Sequence, residues 1–247
     1  MITLTNQKFR INRIKLIKEL EKYPLFNTKI IKDIIKKDRK YAKLVLYRLK
    51  KDGLIIKIEK NAYTLYNDSV LIAGNLVWPC YLSCWTAIRY YNLTEQLPTT
   101  LFVVTPRSRN RNLINFENTK IYFIKTKPKF FFGFKKENYN NFTIFIAEPE
   151  KALIDSALYK KISFSEISSI IKENKKKINN QKLISYLIKI NNKSLIKRFG
   201  YLLDKMNLDY YSKLKRFIDA KYIDIDYAKP EKGSKDKKWR IIENADL

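Results

Sequence analysis

Histidine is missing from this chain altogether. Without it there is no Ser-His-Asp or Cys-His nucleophile system and no His-liganded metal site. Cysteine is nearly as scarce, with Cys80 and Cys84 the only two. Two thiols without a histidine are too few for a structural zinc site, and they read as reduced core thiols on one helix face. Five glycines leave no phosphate-cradling loop, and neither G-x-x-x-x-G-K nor G-x-G-x-x-G occurs. No apolar run approaches the roughly 20 residues of a membrane-spanning helix. The opening MITLTNQKFR carries no apolar signal-like segment. The expectation is a soluble cytoplasmic protein with no metal, no cofactor and no catalytic residues, hence not an enzyme.

Acidic residues are also few. There are 24 Asp and Glu against 51 Lys and Arg, a net charge of +27 that points to a polyanionic partner. An apolar fraction of 45% marks a folded chain, so the charge is not that of a disordered basic tail. Lysine is abundant throughout, and distribution therefore carries more weight than the total. Residues 1–66 hold 18 Lys and Arg against 6 Asp and Glu, about twice the net charge density of the remainder.

Within that quarter the stretch from Asp38 to Leu65 is the most ordered in its patterning. Ala42, Val45, Leu46 and Leu49 fall at i, i+3, i+4 and i+7, one face of a helix. Arg39, Lys40, Lys43, Tyr47 and Lys50 are assigned to the opposite face, and Leu44 fits neither set. Asp38 stands where an N-cap belongs, and Gly53 where the chain leaves the helix left-handed. Two β-type runs follow, Ile55–Ile58 and Ala62–Tyr66, joined by Glu59-Lys60-Asn61. Upstream, Ile11–Lys22 is amphipathic, with Ile14, Leu16, Ile17 and Leu20 available for burial. Tyr23-Pro24 closes it. Asn27 or Thr28 caps a second helix whose stripe is Ile30, Ile31, Ile34 and Ile35.

Two short helices, a basic third helix and a hairpin form the order of a winged helix-turn-helix, here residues 1–67, with the third helix as reader of double-stranded DNA. Lys40, Lys43, Tyr47 and Lys50 would face the major groove and Arg39 and Lys60 the phosphates. Asn61 would stand at the wing tip, against phosphate or a minor-groove edge. A protein-docking winged helix would instead expose an apolar patch on that face.

Residues 68–247 read as a larger mixed domain. Pro79 is expected to start a helix to about Asn92, burying Leu82, Trp85, Ala87, Ile88 and Tyr91. Thr100–Thr105, Lys120–Thr126, Lys129–Lys135 and Asn141–Ala147 are strand-like and predict a small, mostly antiparallel sheet. The loop between the first two carries Arg107, Arg109 and Arg111 in a chain that otherwise prefers lysine, a fit for phosphate or for an acidic partner. Glu148-Pro149-Glu150-Lys151 resembles a nuclease cluster only superficially, because proline and acids are ordinary chemistry for a helix start. Asp155, four residues after Lys151, reads as its surface ion-pair partner. Helices are expected at about 152–160, 165–172, 181–190, 194–206 and 210–220. A closing strand pair at 222–226 and 238–242 follows, with Trp239 as an anchor. The fold class is therefore α+β: a winged helix-turn-helix, then a mixed domain with a small sheet and a helical C-terminal part.

Three blocks in this second part resemble the AbiEi family of antitoxins, transcriptional regulators of abortive-infection toxin–antitoxin systems. The first runs Tyr81-Leu82-Ser83-Cys84-Trp85-Thr86-Ala87, followed by Tyr90-Tyr91-Asn92-Leu93-Thr94-Glu95-Gln96. The second is Ala147-Glu148-Pro149-Glu150-Lys151-Ala152-Leu153-Ile154-Asp155, and the third Lys197-Arg198-Phe199-Gly200-Tyr201-Leu202-Leu203. Asn92 stands where relatives often have glycine, a substitution that a left-handed helix end tolerates. The resemblance implies a C-terminal antitoxin domain, a neighbouring toxin of the nucleotidyltransferase type, and repression of the operon encoding both. On an inverted-repeat operator two copies would bind as a dimer. The alternatives are a protein that binds tRNA or single-stranded RNA, and a winged-helix regulator unrelated to toxin–antitoxin systems.

Overall fold

A computed structural model describes residues 12–230 and 232–247, so the MITLTNQKFR segment and the predicted helical position Ile11 lie outside it. The chain divides into two compact units, one ending at Leu76 and one from Val77 to Leu247. Together they make an α+β protein with a winged-helix N-terminal unit.

In the first unit, α1 (Arg13–Leu20), α2 (Thr28–Ile35) and α3 (Arg39–Lys51) precede the hairpin β1 (Ile56–Glu59) and β2 (Ala62–Thr64), and α4 (Ser69–Asn75) follows. Every start is chemically marked. Asn12, Asn27, Asp38 and Asp68 each accept backbone N–H groups as N-caps of α1 to α4. Lys36 ends α2 in the left-handed region, only three residues before α3 begins, and Gly53 at φ +70° turns the chain out of α3 toward the wing. Leu16, Leu20, Phe26, Ile31, Ala42, Val45, Leu46, Leu49 and Ile55 form the core. Ile14, expected to contribute, is 72% exposed. At 3.6 residues per turn it lies more than a quarter-turn from the Leu16–Leu20 stripe.

The wing is fastened by backbone as well as by side chains. Phe26 and Tyr63 exchange backbone hydrogen bonds of 2.8 and 2.9 Å, adding a third strand position to the hairpin. The Thr64 hydroxyl donates to the Pro24 carbonyl at 2.8 Å, and the Tyr66 hydroxyl to that of Glu21 at 2.5 Å.

The second unit is built on β3 (Tyr81–Ser83), α5 (Trp85–Tyr90), β4 (Thr100–Thr105), β5 (Leu113–Phe116), β6 (Thr119–Lys125), β7 (Phe134–Tyr139) and β8 (Phe142–Ala147). The strands form one sheet in the order β5-β6-β4-β3-β8-β7, with three antiparallel and two parallel pairings. Helices α6 (Pro149–Leu158), α7 (Phe164–Glu173), α8 (Asn180–Ile190), α9 (Lys193–Lys205) and α10 (Tyr211–Leu214) complete the unit with a small sheet. In that sheet β9 (Ile223–Asp224) runs parallel to β11 (Ile241–Ile242), which pairs antiparallel with β10 (Lys235–Asp236).

Pro79 does not open a helix. Residues 81–83 instead supply a central strand, with Tyr81 and Ser83 on one face and Leu82 on the other, and the helix begins only at Trp85. Pairing to β4 and β8 on both sides outweighs the helical spacing of the aromatics. Cys80 and Cys84 are buried thiols outside any disulfide, as expected, but they flank β3 and do not share a helix face. Asn92 holds the left-handed conformation, φ +50°, expected of a residue in place of glycine.

The strand predicted at Lys129–Lys135 begins only at Phe134, because Pro128–Phe130 makes a single 3-10 turn. Gly133 then turns with φ +72° where a Cβ would meet Lys151 at 3.1 Å. Phe131 and Phe132 consequently cover Tyr81 and Tyr186, with centroid separations of 5.2 and 5.3 Å. The helix expected at 210–220 is cut to Tyr211–Leu214 and a further short turn. Trp239 is fully buried against Gly200, where an added Cβ would stand 2.1 Å from the ring.

Candidate nucleic-acid interface

The cationic side chains nominated on α3 all sit on the solvent side of its buried stripe. Arg39, Lys40, Lys43, Tyr47 and Lys50 are exposed, Tyr47 at 64%. A turn of about 100° per residue sorts them further. Lys40 and Tyr47 lie at the pole directly opposite Ala42, Val45, Leu46 and Leu49. Leu44, which is 39% exposed, and Lys51 share that pole at i, i+4, i+7 and i+11. Arg39, Lys43 and Lys50 form one flank and exposed Arg48 the other. Lys51, Arg48 and Leu44 were absent from the sequence-derived set. Lys51 stands four residues after Tyr47, so one more helical step along that face would have found it.

Asp38 fixes where α3 begins, accepting the Tyr41 N–H at 2.7 Å, and a 2.7 Å Arg13–Asp52 ion pair holds its far end to α1. The apolar underside seats the helix and the charged side stands away from the core. Such a surface can complement a groove lined by phosphates.

At the wing, Lys60 is exposed in the turn. Asn61 takes a left-handed φ of +59°, and its side chain points back into the unit. Its Oδ1 accepts the Thr28 N–H at 3.0 Å and the Thr28 hydroxyl at 2.6 Å. Asn61 thereby ties the wing to the start of α2, a role the hairpin pattern alone did not reveal.

In the second unit the arginine loop lies between β4 and β5. Arg107 and Arg111 are exposed. Arg109 folds over the Phe123 ring at 4.1 Å and donates from Nε to the Arg111 carbonyl at 3.4 Å. Its charge acts on the Cys80 thiol, which burial nevertheless pushes up to about 12.

A second constellation was misassigned to the surface. Lys151 and Asp155 are both 0% exposed and directly paired. Lys151 Nζ donates to the Tyr81 hydroxyl at 2.9 Å, while Tyr81 and Ser83 hydroxyls donate to Asp155 Oδ2 at 3.0 and 2.8 Å. Burial pushes the Asp155 carboxyl up, and Lys151 with the two hydroxyls pulls it down without cancelling that effect. The i, i+4 spacing was legible, but the partners arriving from β3 were not. The network fastens α6 to the central strand. Next to it Cys84 turns the chain from β3 into α5 with φ +51° and ψ −137°, a backbone region that non-glycine residues rarely occupy. Among the described residues no three His, Cys, Asp or Glu side chains are grouped to hold a metal ion, and no helix is long and apolar enough to cross a membrane.

No family model matches the chain, and no curated protein matches it. The three-helix unit with its β-hairpin wing is, by its own geometry, a fold of the broad winged helix-turn-helix regulatory class and is consistent with DNA as a partner.

Proposed function

We propose that this protein is a sequence-specific DNA-binding repressor and antitoxin of the AbiEi type. It acts in the cytoplasm without catalysis of its own, silencing the operon that encodes it and counteracting a nucleotidyltransferase-type toxin. The observation that carries the reading is the outward side of α3, where Lys40, Lys43, Tyr47, Lys50 and Lys51 stand exposed opposite an all-apolar seat. A helix so mounted enters the major groove, with the wing bringing Lys60 to the adjoining backbone. Two copies on an inverted repeat would place their reading helices about one DNA turn apart, roughly 34–36 Å. The three sequence blocks of the second unit support the antitoxin half of the proposal.

RNA binding is favoured by a different observation. Half-buried rings of the second unit lie under lysines, with Lys189 Nζ 4.0 Å from the Phe132 centroid and Lys161 Nζ 4.3 Å from that of Tyr122. Competition between duplex DNA from upstream of the gene and structured RNA at matched salt separates the two. The repressor reading requires the duplex to win by at least about tenfold. Equal competition by RNA would displace it. Co-expression with the product of the adjacent reading frame tests the antitoxin half, which predicts restored growth.

A further inference from the structure

The two edges of the six-stranded sheet are built differently. At one end, β7 presents Phe134-Lys135-Lys136-Glu137-Asn138-Tyr139, with Lys135 and Lys136 exposed. Lysines on an edge strand are a standard obstacle to further strand pairing, because a new strand would have to desolvate them. At the other end, β5 reads Leu113-Ile114-Asn115-Phe116 and carries no charge. Among the described residues nothing pairs with its outer side.

The register shows which backbone groups that outer side offers. Phe123 N–H donates to the Asn112 carbonyl at 2.7 Å, so Asn112 and Phe123 form a hydrogen-bonded pair of the β5–β6 ladder. Antiparallel pairs alternate, so Ile114 and Phe116 also bond inward to β6. The N–H and C=O groups of Leu113 and Asn115 then point away from the sheet. Their side chains are on the solvent side too, Leu113 at 46% exposure, while Ile114 and Phe116 are buried.

The approach to this edge is strongly cationic. Arg107 and Arg111 are exposed immediately before β5, and the backbone between them is held by the Arg109 contacts to Phe123 and to the Arg111 carbonyl. An uncharged strand edge with two exposed arginines at its entrance suits one kind of occupant. We propose that β5 is a docking edge for an extended acidic segment of a partner protein. The segment adds as a seventh strand on Leu113 and Asn115, and its carboxylates lie in the Arg107–Arg111 loop. Backbone pairing supplies the affinity, and bidentate arginine–carboxylate contacts select the partner. This binding surface is separate from α3 and does not depend on the DNA-binding proposal.

The test uses the full chain and a fluorescein-labelled peptide of alternating Thr and Val ending in four Glu, followed by anisotropy. Binding with a Kd of roughly 10–100 μM is expected, weakened about tenfold or more by Arg107→Glu/Arg111→Glu. Asn115→Pro removes an outward N–H without touching the β6 ladder, and Leu113→Lys installs the obstacle that β7 already has. Each should weaken binding at least about fivefold, and Leu113→Lys decides the matter if Asn115→Pro lowers the thermal midpoint. Hydrogen exchange should slow at Leu113 and Asn115 when peptide is bound. The proposal is overturned if the same peptide ending in four Lys binds equally, or if neither strand variant has an effect. It is equally overturned if a single-stranded RNA takes over the arginine loop, or if Leu113→Lys abolishes a dimer that shows a second copy to be the occupant.

Discussion

Among the described residues of the first unit no charged side chain is buried, the buried polar ones being Thr28 and Thr64, whereas the second unit buries Lys151, Lys197, Glu150, Asp155 and Asp226. The contrast separates two uses of charge in one chain. At the surface of α3 each cation keeps its hydration and remains available to a polyanion. Inside the second unit the buried charges have specific partners, although Glu150 accepts only the Asn179 N–H, at 2.7 Å on Oε1, and its Oε2 is left without one. Lys197 is bonded to Asp219 and to the Lys221 carbonyl, and Asp226 receives the N–H groups of Phe164, Ser165 and Ala228. A buried pair contributes little net stability but makes the loss of either member costly.

The largest expected effect breaks this contrast directly. Lys151→Met should destabilise the second unit by about 3–5 kcal/mol, since the fully buried Asp155 loses the cation that pairs with it. Lys151→Met/Asp155→Leu should cost clearly less than the single change. Lys43→Met on α3 should stay within about 0.5 kcal/mol. Urea unfolding followed by tryptophan fluorescence reads the first two cleanly, because Trp78, Trp85 and Trp239 all lie in the second unit. Circular dichroism serves for the third.

Next in size is Gly200→Ala. The new methyl would fall within 2.1 Å of the Trp239 ring, and the same fluorescence assay should show a loss of about 1–3 kcal/mol. Asn61→Ala removes the wing tether to Thr28 and should cost about 1 kcal/mol in the first unit, read by circular dichroism.

Acid should sharpen the comparison further. Burial pushes the carboxyls of Asp204, Asp226 and Glu148 up, but their donors outweigh it and hold all three below their ordinary values. The donors are Lys238 and Trp239 for Asp204, Ser165 with backbone N–H groups for Asp226, and Tyr186 with Lys182 for Glu148. A carboxyl depressed in the folded state adds stability above its unfolded pKa, about 3.9 for Asp and 4.3 for Glu, and loses it as pH falls through the folded value. Asp155, pushed up, contributes with the opposite sign. Asp219 and Glu243 are depressed as well, by their Lys197 and Ser234 hydrogen bonds, so five depressed carboxyls against one raised predict that the tryptophan-monitored unfolding midpoint falls progressively below about pH 4.

What could be read from the sequence follows the same division. The apolar stripe of α3, its Asp38 cap and the left-handed Gly53 were legible because short-range spacing specifies them and no buried charge interrupts the pattern. The strand β3 was not legible, since its identity comes from β4 and β8, which are distant in sequence. Lys151 and Asp155 looked like an exposed i, i+4 pair because the residues that shelter them, Tyr81 and Phe132, arrive from other parts of the chain. On α3 the exposure of the nominated cations followed from residue type and spacing, while the inward turn of Asn61 depended on its contact with Thr28.

The central claim is that the outward side of α3 contacts duplex DNA. Its most direct test titrates the full chain, as wild type and as Lys43→Ala/Tyr47→Ala, against DNA from upstream of its gene over a range of salt. The prediction is at least a tenfold loss of affinity, a lost footprint and a salt slope shallower by about one, with Arg107→Ala/Arg111→Ala staying near wild type. Unchanged affinity, footprint and slope in the α3 variant would contradict it.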